Sequence, residues 1–369
     1  MDNPKGASVT SPPRRGGSGS VPIQAPPAVA VLGRIEKRST EFIIGWVAVS
    51  AANHPAHVYA MVGSDIIGFG VADICRPDLD RARQEGQLDA FAFLIAYGRT
   101  IAPDLVQSVK VFIAGQAAAI PEAKQVKIDR SPTLRLFVMG SPRSGTSQLG
   151  QTLSHVLSLP WLGEGHGAPL FASAANALAG DINDKNGIAR FMAQQNFKQI
   201  AVDAAKKAYF YLHGSASFVD KTPGLNMIGA APFLNQCFPG SHFIFLRRNP
   251  VSNIMSRMAK FGGSFDNHCR DWTGAMNEWL KVRPQLPHFV EIQQEEMIAA
   301  PDQVGRVLAE YIGLPDTAEG ISKSLKVGSA ERTGAGDGHT DELRAVWTAE
   351  QVAIFEKICR PVMQTFGYK

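Results

Sequence analysis

The sequence is poor in cysteine, in long apolar runs and in net charge of either sign, and each shortage removes a class of protein. Four cysteines, Cys75, Cys237, Cys269 and Cys359, are scattered over 369 residues with no CxxC pair. Neither a thiolate zinc site nor a disulfide framework is therefore expected, and reduced thiols in a cytoplasmic protein fit best. No stretch reaches the roughly 18 apolar residues that a membrane-spanning helix needs. The N-terminus also lacks a continuous apolar export core, so a protein that is not exported is expected. The 37 basic and 33 acidic residues leave a formal net charge of +4, too slight to argue for nucleic acid as a general partner. A local anion site stays open.

What is present is an ordinary globular balance, 45% hydrophobic and 19% charged, unlike the composition of a disordered chain. The length exceeds the usual span of one domain. Residues 1–27 are rich in Pro, Gly and Ser around Pro12-Pro13-Arg14-Arg15-Gly16-Gly17; they carry little to bury and are expected to form a disordered tail. Residues 28–121 show short apolar or alternating runs, Phe42–Val49, His57–Val62, Ile66–Val71 and Val109–Ile113, which predict a small antiparallel β-sandwich. Residues 122–132 read as a linker. In 133–369, brief apolar strands at Leu134–Met139, Ser217–Val219, His242–Leu246 and Phe289–Ile292 alternate with helical patterns, the signature of an α/β fold with a parallel sheet flanked by helices.

The chemistry is concentrated in that second region. The strand Leu134–Met139 runs into Gly140-Ser141-Pro142-Arg143-Ser144-Gly145-Thr146-Ser147 and then into a helical pattern from Gln148. Strand, tight loop and helix make an anion cradle, because successive backbone N–H groups and the peptide dipoles converge at the helix N-terminus. Against the nucleoside-triphosphate loop GxxxxGK[ST], both glycines are present but Thr146 stands where the lysine belongs. The cation has moved to Arg143, which suits a single 5′-phosphate better than a β,γ-bridging site. Further on, His242–Leu246 leads to Arg247-Arg248-Asn249-Pro250 and a helical pattern. Ser256, eight residues after Arg248, is about two helical turns inward, so both can face one site. An arginine fork with a hydroxyl suits a phosphate monoester.

Pro142-Arg143-Ser144-Gly145-Thr146-Ser147 is similar to the 5′-phosphosulfate loop of the sulfotransferases that use 3′-phosphoadenosine-5′-phosphosulfate (PAPS). Arg248-Asn249-Pro250 with Ser256 resembles their 3′-phosphate motif, and the two occur in the family's order. The resemblance spans about 133–369 and implies a P-loop-like sulfotransferase fold in which Arg248 and Ser256 hold the 3′-phosphate, with no metal required. Glu331-Arg332-Thr333-Gly334-Ala335-Gly336 resembles the family's Arg/Gly loop over that phosphate, with Thr333 in place of lysine; Arg332 is its cation, a plain surface turn being the alternative. Asp220-Lys221-Thr222-Pro223 resembles a segment of bacterial and Golgi-type members and offers Lys221 as a second cation beside Arg143, a strand-end pair with Asp220 being the alternative. For the base, Trp161-Leu162-Gly163-Glu164-Gly165-His166 offers Glu164, at an interval like that of members with a carboxylate base, and His166 as the reserve. Glu295 and Trp272 are expected to have structural roles.

The β-rich region resembles modules that accompany some bacterial sulfotransferases and glycosyltransferases, through Gly45-Trp46, Arg76-Pro77-Asp78-Leu79 and Phe91-Ala92-Phe93. Trp46 could serve there as a sugar-stacking ring or as core. The expected activity is sulfuryl transfer from PAPS to a hydroxyl or amine of a small-molecule or glycan acceptor. The alternatives are a P-loop kinase using ATP and magnesium, disfavoured by Thr146 and by the lack of a clear magnesium-binding aspartate, and a carbohydrate-binding protein with a degenerate transferase domain. Acceptor identity and oligomeric state are open.

Overall fold

Apolar residues at every second position of the N-terminal runs become the inner faces of two sheets. In this computed structural model, residues 32–50, 55–79, 88–128, 133–165, 167–181, 194–330 and 344–368 are described, and Val31–Lys369 form one compact unit. The predicted tail lies outside the described residues. Strands β1 (Leu32–Arg38), β2 (Phe42–Ser50), β3 (Ala56–Val62), β4 (Asp65–Ala72), β5 (Leu88–Ala96), β6 (Lys110–Ile113) and β7 (Glu122–Ile128) build the sandwich. One sheet has the order β5-β2-β1-β7 and the other β4-β3-β6. All pairs are antiparallel except β1 with β7. Ile35, Ile43, Val47, Phe93 and Ile95 meet Val58, Ala60, Val111 and Ile113 in the space between the sheets.

Within the stretch read as linker, Glu122–Ile128 is thus a strand, paired with β1. Its residues are mostly exposed with no two-residue alternation, and Glu122, Lys124, Gln125 and Lys127 hide the strand, so only the partner reveals it. Trp46 packs on Ala48, Leu79, Ala90 and Ala92 in a small cluster under Ile74, which makes it a packing residue.

The other end of that same sheet face is covered by the α/β part. Phe42 stacks on Phe210 with centroids 4.9 Å apart, and Phe42 and Leu94 belong to the α/β core. Buried Glu41 pairs with buried Arg135, the first residue of the next strand, and Lys37 donates to the Gly214 carbonyl. Strand β5 is therefore covered on both faces, which is why Leu88–Ala96 reads as a nearly continuous apolar run rather than an alternation.

Four parallel strands, β8 (Arg135–Gly140), β9 (Phe218–Lys221), β10 (His242–Arg247) and β11 (Phe289–Gln293), follow in the order β11-β10-β8-β9. Each lies within a residue or two of its predicted position. Between β8 and β9 run α1 (Thr146–Leu157), α2 (Gly167–Asp181) and α3 (Gln194–His213); between β9 and β10, α4 (Leu225–Gly229) and α5 (Ala231–Cys237). Helices α6 (Pro250–Phe261) and α7 (Phe265–Val282) precede β11, and α8 (Gln294–Ala299), α9 (Pro301–Tyr311), α10 (Ala318–Ala330), α11 (Ala349–Ile358) and α12 (Arg360–Thr365) follow it. Alternate β8 side chains serve opposite layers. Phe137 and Met139 join the core with Phe218, Phe243, Phe245, Trp272 and Trp279, whereas Leu136 and Val138 join Leu149, Leu153, Leu308 and Leu325.

The topology decides where a ligand can sit. The chain leaves β8 to form β9 on one side and then crosses to form β10 on the other, so the order reverses at β8/β10, and the crevice outside the carboxyl ends at such a switch point is where open α/β sheets bind ligands. Leu246 stands opposite Gly140 in the ladder. The turns that follow these two strands are therefore neighbours. Among the described residues no helix is long and apolar enough to cross a membrane.

Candidate active site

The loop after β8 turns through two residues in the left-handed region. Arg143 has φ 71° and Gly145 φ 86°, and positive φ at a non-glycine residue is costly enough to point to a built purpose. A side chain at Gly145 would be strained by this φ, and its Cβ would also lie 3.1 Å from Cγ of Gln294. No side chain caps α1 at Gly145, so the first N–H groups of the helix face the concavity that the loop encloses, the arrangement that binds an anion.

The second basic turn closes over this loop. Arg248 Nη1 donates to the Arg143 carbonyl at 3.1 Å, and Arg143 Nε donates to Ser256 Oγ at 3.1 Å, across 105 and 113 positions of sequence. Arg143, Arg248 and Ser256 thus share one cleft. The turn itself is braced from behind. Asn249 Oδ1 caps α6 by accepting from the Val251 N–H at 3.0 Å, Pro250 opens the helix, and the Asn249 N–H donates to Glu295 Oε1 at 2.6 Å. Trp272 Nε1 donates to the Arg248 carbonyl at 3.2 Å. Glu295 and Trp272 are the structural supports the sequence suggested. Arg247 points away from the cleft: it donates to the Phe366 carbonyl and lies over the Tyr368 ring, 5.3 Å from its centroid.

Sequence reasoning missed Asn253. It is fully buried, and its Nδ2 donates to the Pro142 carbonyl at 3.0 Å and to Ser144 Oγ at 3.1 Å, while Ser141 Oγ lies 3.4 Å from its Oδ1. One side chain on α6 therefore ties down the loop after β8 at three residues. The signal was available: Asn249, Asn253 and Ser256 recur at i, i+4 and i+7, one face of a helix.

Lys221, the last residue of β9, is buried, and its Nζ donates to Glu164 Oε1 at 2.6 Å. It pairs opposite Val138 on β8. Its stem crosses α1 where Gly150 leaves room: a Cβ at 150 would lie 3.1 Å from Lys221 Cβ. Asp220 is occupied elsewhere, its Oδ2 accepting from Tyr209 at 2.5 Å and its Oδ1 from Thr222 at 3.2 Å. Burial, then the Asp220 charge, pushes the Tyr209 phenol well above its ordinary range, so it remains a proton donor to that carboxylate. The two residues picked from separate motifs, Glu164 and Lys221, are thus each other's partners. Glu164 is about half exposed toward solvent while Lys221 is enclosed, which leaves the carboxylate as the accessible member.

Two openings lie in this part of the fold. A groove of about 680 Å³ between α1 and α10 is lined by Gln148, Thr152, His155, Lys323, Ser324 and Val327. A small cavity of about 30 Å³ beside Glu164 is lined by Leu162, Gly163, Phe171, Tyr209, His213 and Asp220. His166 and Arg332 lie outside the described residues.

The family model described as "Sulfotransferase family" matches residues 135–318. Among solved structures, the sulfotransferase domain from the curacin biosynthetic pathway is 17% identical, with 65% of this chain and 99% of that chain covered and a TM-score of 0.40. Sulfotransferase STF9 from Mycobacterium avium is 16% identical, with 65% and 78% covered and a TM-score of 0.40. Mouse sulfotransferase SULT7A1, solved in complex with PAP, is 12% identical, with 63% and 86% covered and a TM-score of 0.40. No curated protein matches significantly. The matched segment contains both basic turns and the parallel sheet beneath them, and through this α/β part the chain belongs to the sulfotransferase family.

Proposed function

We propose that this chain transfers a sulfuryl group from PAPS to a hydroxyl or amine of an acceptor, with Glu164 as the base. The observation that supports the reading best is the convergence of Arg143, Arg248 and Ser256 on the loop that precedes the N-terminus of α1, where no side chain caps the helix. The donor carries two phosphates at opposite ends of one nucleoside. The loop 140–147, with Pro142, Ser144, Thr146 and Ser147 around Arg143 and Gly145, suits the 5′ end, and Arg248 with Ser256 suits the 3′ end.

When bound, the donor supplies a sulfuryl group attached to a phosphate leaving group. The residues of the chain do the rest. The Glu164 carboxylate takes the acceptor proton as the acceptor oxygen or nitrogen bonds to sulfur in line. The bond from sulfur to the nucleotide's 5′-phosphate oxygen breaks, and that oxygen keeps the electron pair. Arg143 and Lys221 stabilise the charge left on it. Lys221 has three donors, so it can keep its contact to Glu164 while serving that oxygen. A glycan is the acceptor class the β-rich region favours.

Calorimetry on the full chain tests the donor assignment. Desulfated PAP should bind in metal-free buffer, and ATP with magnesium should not compete. Arg248→Ala should weaken PAP by about 1.5–3 kcal/mol, the scale of a charge-assisted contact. Unchanged affinity in that variant would remove Arg248 from the site.

A further inference from the structure

The second sheet of the sandwich, far in sequence from the cleft, turns a row of aromatic rings outward. Tyr59 on β3 stands opposite Phe69 on β4 and opposite Phe112 on β6, and directly opposed residues share a face. Their neighbours Val58, Ala60, Val111 and Ile113 fill the sandwich core, so the three rings lie on the other side. Phe69 is 72% exposed, and Tyr59 and Phe112 run nearly parallel, centroids 5.5 Å apart at 19°. The same register adds Met61, opposite Lys110 on one side and half-exposed Ile66 on the other, and Val71 opposite His57. A polar side chain thus stands on either side of the row.

Outward positions of a half-buried antiparallel sheet are ordinarily polar, so three rings in register need a reason. The area of the row decides which reason. Adjacent strands lie about 4.8 Å apart, so the row spans about 10 Å from first ring to last. An aromatic side chain buries at most about 150–250 Å², and Tyr59 and Phe112 are already partly covered. Met61 and Val71 on the same face are also partly covered and Ile66 is half exposed, so only Phe69 presents most of its surface, and the face falls short of the roughly 800 Å² per partner that a stable protein interface needs. It is too narrow for a second copy of this chain. It suits a thin ligand with flat C–H faces edged by hydroxyls, a chain of pyranose rings laid on the aromatic rings, with Tyr59, His57 and Lys110 supplying polar groups at its margin.

We propose that the outer face of β4-β3-β6 is a glycan-binding platform, with Phe69 as its anchor and Tyr59 and Phe112 as its continuation. It uses no residue of the transfer cleft and stands whether or not PAPS is the donor.

Native affinity electrophoresis of the full chain, through gels containing laminarin, xylan, mannan or hyaluronan, tests it. At least one polysaccharide should retard the chain. Phe69→Ala should weaken that retardation at least tenfold, while Phe69→Tyr should keep it. Because Phe69 is exposed, both variants should melt like the parent by circular dichroism and bind PAP like the parent. Failure of PAP binding alone leaves the retardation, and this proposal, intact. Free migration in all four gels overturns the proposal, as does a Phe69→Ala variant retarded like the parent. Gel filtration adds a further refuting result: a dimer abolished by Phe69→Ala, with no retardation, makes this face a self-interface.

Discussion

Replacing Asn253 by aspartate is the sharpest test of how the two basic turns cooperate. The asparagine amide donates to two acceptors, the Pro142 carbonyl and Ser144 Oγ, inside a fully buried site. Aspartate keeps the shape but removes both N–H donors: the Pro142 carbonyl then faces a carboxylate oxygen, whereas the Ser144 hydroxyl can turn to donate to it. A buried polar group left without its partner costs about 1–3 kcal/mol, and the buried carboxylate that replaces the amide adds to that. Part of this appears as lost stability. The remainder appears in the loop, which must then be ordered by the ligand, so nucleotide affinity should fall tenfold or more, about 1.4 kcal/mol. Urea unfolding with and without PAP separates the two effects, and calorimetry reads the affinity directly. Asn253→Ala, which strands the same acceptors without adding a charge, should lie between the parent and the aspartate variant. If Asn253→Asp bound PAP as tightly as the parent, the claim that α6 shapes the phosphate loop through this side chain would be wrong.

Glu164→Gln should lower turnover about 10²–10⁴-fold, the contribution of a positioned base, while sparing PAP binding; an undiminished rate would transfer the role to His166. His213 stacks on Phe218, and its buried Nδ1 has no hydrogen-bond partner; burial pulls its pKa from 6.5 down to about 4. The unfolded chain therefore binds more protons between those values, and stability should fall as pH drops from about 6.5 toward 4. The loss is about 2–3 kcal/mol after allowing for partial exposure. His213→Leu should flatten that slope in urea titrations at stepped pH, and a slope equal to the parent's would contradict the assignment. Glu41→Ala leaves Arg135 as a buried charge without its carboxylate and should cost about 3–5 kcal/mol by chemical denaturation. The double change Glu41→Met with Arg135→Met should recover most of it, and a single variant costing under about 1 kcal/mol would show that the pair does not join sandwich to α/β part as described.

The conformation of loop 140–147 was legible because everything that makes it is contiguous. A buried strand, a loop with glycine where φ must be positive, and an uncapped helix N-terminus are set by neighbouring residues, so Leu134 through Leu157 carries the whole anion cradle in its own order. The turn at Arg248-Asn249-Pro250 is likewise local, with its Asx cap and its proline at the start of α6. Strand order is not local. Only the reversal at β8/β10 puts Ser256 on Arg143 and Asn253 under the loop, and only the β8/β9 pairing brings Lys221 to the same edge, where it meets Glu164. The same holds for the cysteines: they show no motif in sequence, yet the Cys359 thiol lies 3.9 Å from the Cys269 carbonyl. It holds again for Phe42, whose alternation marks a buried strand face but cannot say that Phe210, on a helix of the other part, covers it. Backbone conformation is chosen residue by residue and so can be read from the residues, whereas which side chains meet across strands depends on the order in which the sheet was wound.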